Sequence, residues 1–184
     1  MGIIPPIDES DPTSLSRSPY ELDIVRFVSF FAITQSRVKI LKGFLDFRNE
    51  LTSVGLVDGF QWVDGSFTEN VELIERRAPN DVDVVTFFNF QPGDNDHTVY
   101  SRNPNIFNQD FVKKQYLVDS YFEGLHAPGA SLVARTVYWY SMWAHKRDLS
   151  WKGFIQIPLS PALDLVARSI LDSIETEEAN NESK

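Results

Sequence analysis

At 184 residues and 42% hydrophobic, the chain sits within the range of one domain with one proper core. It contains no cysteine, which excludes a disulfide scaffold and any thiolate metal site. A net charge of −9, from 17 basic against 26 acidic residues, argues against wrapping an extended nucleic acid, because that affinity comes from lysine and arginine contacts. A single nucleotide, a cationic acceptor or mere solubility stays compatible with it. Met1-Gly2-Ile3-Ile4-Pro5-Pro6 has neither the basic start nor the apolar run of a signal peptide, and Pro6 stands where an acylation signal carries serine or threonine. No stretch approaches the ~20 apolar residues of a membrane span. The expectation is a cytoplasmic protein with no membrane partner.

Residues 1–17, rich in proline, serine and acid, read as an extended lead-in to a domain over 18–173. Ser18-Pro19-Tyr20-Glu21 has the pattern of a helix start, with a capping serine, a proline at the first helical position and a glutamate three residues after the cap. Leu22, Ile24, Val25, Phe27, Val28 and Phe31 give that stretch a broad apolar face. A second helix is expected over about 35–52, with Val38, Leu41, Leu45, Ile40, Phe44, Phe47 and Leu51 at helical spacing. Arg37, Lys39, Arg48 and Glu50 are left for water. Phe60-Gln61-Trp62-Val63 is a short strand running into Asp64-Gly65-Ser66, and Asp81 to Phe88 emerges from the turn Ala78-Pro79-Asn80 as the best strand in the chain. A helix capped by Asn103, a strand over 116–122, an aromatic-faced helix over 129–145, a strand over 152–159 and a helix opened by Ser160-Pro161 follow. In that last helix Leu163, Val166, Ile170 and Ile174 share a stripe, and residues 174–184 read as an acidic flexible tail. Alternating helices and strands in one unit predict an α/β (α+β) fold, a single mixed β-sheet flanked by helices.

The residues that carry chemistry are Gly65, Ser66, Asp81, Asp83 and Asp119. Residues two apart on a strand face the same way with Cα atoms roughly 6.5 Å apart, so Asp81 and Asp83 project together while Val82 and Val84 point behind them. Carboxylates placed so can hold one or two divalent cations. Alone, an aspartate pair after Pro-Asn is also the pattern of a turn leading to a solvent-facing edge. Asp119, among Tyr116, Leu117, Val118, Tyr121 and Phe122, tips the balance, because an unpaired carboxylate there is costly without a cation or donors. Without a metal, three clustered aspartates repel, and one of them tends to keep its proton. Gly65 allows close backbone approach to a ligand, and Ser66 adds a hydroxyl and an N–H suited to phosphate.

This order of turn and carboxylates resembles the nucleotidyltransferase superfamily that includes DNA polymerase beta and the minimal nucleotidyltransferases. Trp62-Val63-Asp64-Gly65-Ser66-Phe67-Thr68 with Pro79-Asn80-Asp81-Val82-Asp83-Val84-Val85, Val118-Asp119-Ser120-Tyr121-Phe122 and the segment from Trp143 to Gly153 look like an uncharacterised bacterial nucleotidyltransferase-like group. The resemblance implies a nucleoside triphosphate held by Gly65 and Ser66, with two Mg2+ ions (or Mn2+) on Asp81 and Asp83. Asp119 would bind metal or activate an acceptor hydroxyl. A nucleoside monophosphate would pass to a protein side chain, an RNA end or a small molecule, in a toxin–antitoxin or phage-defence setting. The stretch 67–80 is longer than in active minimal members, and Val71–Arg77 reads as an inserted loop. The alternative is therefore an inactive module of the same fold that binds nucleotide or a partner protein.

Lys152, with His145-Lys146-Arg147, forms a basic patch able to meet nucleotide phosphates, and Trp143 or Trp151 is placed to stack on a base; a charged turn with two anchoring tryptophans fits equally. Arg76 and Arg77 read as a solvated loop. His97, His126 and His145 lack the spacing of a histidine metal site.

Overall fold

The computed structural model describes residues 4–182, so expectations for Met1–Ile3 and for Ser183 and Lys184 lie outside the described residues. Residues 4–17 run irregularly along the body, tied by the Gly153 N–H to the Ile4 carbonyl at 2.6 Å and by an isolated bridge between Ile7 and Arg17. Ser18-Pro19-Tyr20-Glu21 does not open a helix. Tyr20–Glu21 is an edge strand, β1, and the Ser18 hydroxyl accepts from the Phe154 N–H at 2.8 Å instead of capping. Pairing with distant residues wins over the local capping pattern, and the helix starts at the next acceptor, Asp23, which caps α1 (Ile24–Phe31).

α2 (Gln35–Ser53) is capped by Thr34 and runs as expected. It buries Val38, Leu41, Phe44, Phe47 and Leu51, each worth roughly 1.5–3 kcal/mol against exposure. Arg37 and Arg48 are not left for water; both are buried. Arg48 donates to Gln61 at 2.6 Å, to the Pro158 and Ser160 carbonyls and to both oxygens of Asp164.

β2 (Asp58–Asp64), a short helix α3 (Val71–Ile74), β3 (Val82–Asn89), α4 (Asp96–Arg102) and α5 (Gln109–Tyr116) follow. The single helix expected after Asn103 is a 3-10 turn over Pro104–Phe107 that ends where Asn108 caps α5, and α4 precedes it. β4 (Val118–Gly124), α6 (Gly129–Trp143), β5 (Ile155–Pro158) and α7 (Asp164–Glu182) complete the chain. α7 continues beyond Ser173 through Glu182, pinned to α2 where Lys42 meets Asp172 at 2.6 Å and Glu175 at 2.5 Å. Its core-facing residues are Ala167 and Leu171, with Ile170 and Ile174 packed beside them; Leu163 and Val166 lie exposed.

The sheet is single and mixed, in the order β1-β5-β2-β3-β4, with β1/β5 and β3/β4 parallel and the two central pairings antiparallel. The fold is therefore the expected α/β (α+β) class. One sheet face, with Val63, Val82, Val84, Val118 and Ile155, packs into the main core with α1, α2, α5 and α7. The other carries Trp62, Val85 and Phe87 against Trp139 and Trp143 of α6 and Phe154. Trp143 is thus mostly buried in this second cluster, and its remaining surface lines the cavity described below. Among the described residues no helix is long and apolar enough to cross a membrane.

On the main-core face, the Ser120 hydroxyl is buried and has no hydrogen-bond partner among the described residues. Ser120→Ala removes an unpaired polar group, and a urea titration is expected to show a gain of about 0.5–1 kcal/mol. A loss of stability would show that the hydroxyl is paired in solution.

Candidate active site

Three aspartates form a row across the second face of the sheet. Asp64 ends β2, Asp83 is second in β3 and Asp119 second in β4, and in the strand register Asp64 opposes Asp83 and Asp83 opposes Asp119. Opposed residues share a face, with neighbouring strands about 4.8 Å apart. Asp81, two residues before Asp83, lies just before the strand and lines the same cavity. That cavity, of about 730 Å3, opens beneath the end of α6 and the turn that follows it. The three sequence-identified carboxylates, Gly65, Ser66 and Lys152 all line it.

The Gly65 turn is rigidly made. Gly65 has φ +83, and a Cβ there would collide with the Asp83 carboxylate. Thr68 donates its hydroxyl to Asp64 at 2.9 Å, and its N–H meets the Gly65 carbonyl at 3.3 Å. Below the turn, Arg37 donates to the Phe67 and Glu69 carbonyls at 2.5 and 2.6 Å and forks onto Glu72 at 2.6 and 2.8 Å. Of the stretch Val71–Arg77, read as an inserted loop, Val71–Ile74 form a short helix whose Glu72 is held by Arg37 of α2. Gly65→Ala is expected to cost about 1–3 kcal/mol in backbone strain and to push the Asp83 side chain off its position. Thermal melts and a magnesium titration check both effects; unchanged metal affinity would count against Gly65 as the close-approach point.

Lys152 is buried, and its ammonium meets Glu69 at 2.8 Å, Asp64 at 3.1 Å and the Gly65 carbonyl at 3.2 Å. Through these contacts it braces the turn. Burial pushes Asp64 up to about 7, although Lys152 and Thr68 act in the opposite sense. Burial also opposes the charge of Lys152, but its two carboxylates outweigh that and raise it. The two directions thus have different causes, burial for Asp64 and the two flanking carboxylates for Lys152.

At the other end of the row, Lys113 from α5 bridges Asp81 and Asp119 at 2.8 Å each, and Gln109 also donates to Asp119. Burial works against the Asp119 charge, but Lys113 and Gln109 prevail and hold its pKa below the usual carboxylate range. Asp83 lies between these two braced ends. Burial, then the charges of Asp81 and Asp119, push it up to about 6, and no hydrogen bond or ion pair reaches its carboxylate among the described residues. Asp64, Glu69, Gln109 and Lys113 received no role in the sequence reading. Only Asp64 left a signal there, as a carboxylate ending the strand before Gly65.

Among the described residues, no three His, Cys, Asp or Glu side chains are grouped as they stand to hold a metal ion. Magnesium does not require three: one or two carboxylates with phosphate oxygens and water suffice. Asp83, a hard oxygen donor with no hydrogen bond or ion pair among the described residues and two residues from Asp81, is the carboxylate such a cation would use, with Asp81 free to join it if Lys113 turns away.

A family model described as "Family of unknown function (DUF6932)" matches residues 2–158, a span that takes in all five strands and the whole cavity wall. No curated protein matches the chain, and no solved structure does.

Proposed function

We propose that this chain, which belongs to the family of unknown function DUF6932, transfers a nucleoside monophosphate from a nucleoside triphosphate to a hydroxyl acceptor in the cytoplasm. The observation that carries this reading is an aspartate row facing an open cavity, in which the central carboxylate, Asp83, has no hydrogen-bond or ion-pair partner among the described residues and abuts the Gly65 turn. Asp81 and Asp83 would hold magnesium or manganese, one ion or two, with Asp119 beside them. Bound there, such an ion offsets triphosphate charge and polarises the reacting phosphoryl group. Gly65 brings backbone to the phosphates without a side chain in the way, and Ser66 adds its hydroxyl. A carboxylate held below its usual pKa is a weak proton acceptor, so Asp119 suits orienting the acceptor hydroxyl better than deprotonating it. The acidic body favours a protein side chain or a small molecule over an extended nucleic acid as acceptor.

Incubation with each labelled triphosphate and Mg2+, scoring pyrophosphate, tests the reading. Asp81→Ala and Asp83→Ala are expected to lower turnover by at least about 100-fold, the scale of losing one electrostatic stabiliser. Turnover unaffected by both changes would refute the assignment.

One observation favours a second reading, a module that binds nucleotide without turnover. Lys113 is clasped by Asp81 and Asp119, and Lys152 by Asp64 and Glu69, so ammonium groups already neutralise most of the row. On that reading, triphosphate binds and no pyrophosphate appears.

A further inference from the structure

Seven carboxylates and five lysines and arginines line the cavity, so a polyphosphate entering it needs a cation not already engaged. Four of the five are engaged. Lys152 and Lys113 each join two carboxylates, as described. Lys146 lies 3.8 Å from both Glu69 and Asp148, and Arg77 pairs with Glu75 at 2.7 Å. Arg147 is the one cavity cation that, among the described residues, makes no ion pair and no side-chain hydrogen bond.

Arg147 also stands on a fixed support. The Leu149 N–H closes a turn onto the Lys146 carbonyl at 3.0 Å, and the Lys146 N–H reaches the Ser150 carbonyl at 2.8 Å. Asp148 accepts from the Ser150 N–H and hydroxyl, and His145 bridges Trp151 across the base of the turn. Arg147 is exposed at the tip, whereas Gly65 lies half-buried against Asp83. The cavity thus has an inner wall where a reacting phosphate would sit and an outer rim on which Arg147 is the cation left unpaired among the described residues, beside Asp148, which is occupied by Ser150.

Resting on the nucleotide reading above, we infer that Arg147 binds the outer phosphates of the triphosphate, and that residues 145–148 form a polyphosphate-gripping turn. A guanidinium offers a planar fork matching two phosphate oxygens, and here none of its donors is taken. Lys113 is a poor substitute, since reaching outward would strand Asp81 and Asp119 without their cation.

Calorimetric titration of the full chain with inorganic tripolyphosphate in Mg2+, and with each nucleoside triphosphate and monophosphate, tests this. Arg147→Ala is expected to weaken tripolyphosphate and triphosphate binding about 10-fold or more, the worth of a charge-assisted fork, and to leave monophosphate binding unchanged. Arg147→Lys should recover only part. Lys39→Ala, which removes an exposed charge from α2 on the other face of the sheet, should change nothing. Equal affinity in Arg147→Ala and the natural chain would overturn the inference and leave the nucleotide reading standing. If the natural chain itself binds no polyphosphate and no triphosphate, both fall together.

Discussion

Replacing Arg37 with alanine is expected to lower the unfolding free energy by about 3–5 kcal/mol, the scale of breaking a buried charge network, and the thermal midpoint by roughly 6–20 °C. Its side chain is fully buried, and its guanidinium satisfies the Phe67 and Glu69 carbonyls as well as Glu72. Glu72 is a quarter exposed and can turn to water when the arginine is gone. The two carbonyls lie within the turn and keep their unmet demand, so most of the cost falls on them. Arg37 also lies 5.0 Å over the Phe67 ring, and alanine would leave a cavity there. Arg37→Lys should recover little, because one ammonium cannot span three acceptors. A denaturant titration reads the loss directly. A change below about 1 kcal/mol would mean that the turn carrying Gly65 is held by Lys152 and Thr68 alone.

That arginine also marks where periodicity stops being informative. Arg37 and Arg48 occupy polar positions of a helical pattern, and nothing local separates a solvated arginine from one whose partners lie 35 or 116 residues away. The hydrophobic positions of α2 and the alternation of β3 were legible because each depends on its own neighbours. Ser18-Pro19-Tyr20-Glu21 failed for the opposite reason: a good local cap competes with a Phe154 N–H that only tertiary structure supplies.

The site was legible to a similar depth. Asp81 and Asp83 share a side by strand alternation, and Asp119 could be recognised from its apolar surroundings. Their convergence required the parallel register of β3 and β4, which sequence does not state. Asp64 gains its meaning only from opposing Asp83, and Lys113 only from α5 docking beside β4. Lys152 stands out in the sequence as part of a basic patch, but that its charge is answered by Asp64 and Glu69 is visible only in three dimensions.

Asp83→Asn is expected to stabilise the metal-free protein at pH 8 by about 2 kcal/mol and to change little near pH 4. The folded carboxyl titrates at about 6 because burial and two neighbouring carboxylates oppose its charge, while the unfolded side chain titrates near 3.8. Between those values the folded chain holds a proton that the unfolded chain has released. Its contribution to stability is therefore fully present below the unfolded pKa, declines as pH rises toward 6, and is absent above. Titrating at about 6 instead of 3.8 corresponds to almost 3 kcal/mol, reduced somewhat because the side chain is partly solvated. Asparagine cannot ionise, so the decline disappears in the variant. Urea titrations from pH 4 to pH 8 in a chelating buffer measure the difference. Magnesium should then reverse the order of benefit: a cation bound only by the folded state raises stability with concentration, and the natural chain should gain more than the variant. If Asp83→Asn is instead the less stable protein at pH 8 without metal, the carboxylate already has its counter-charge, and the cavity is not waiting for a cation.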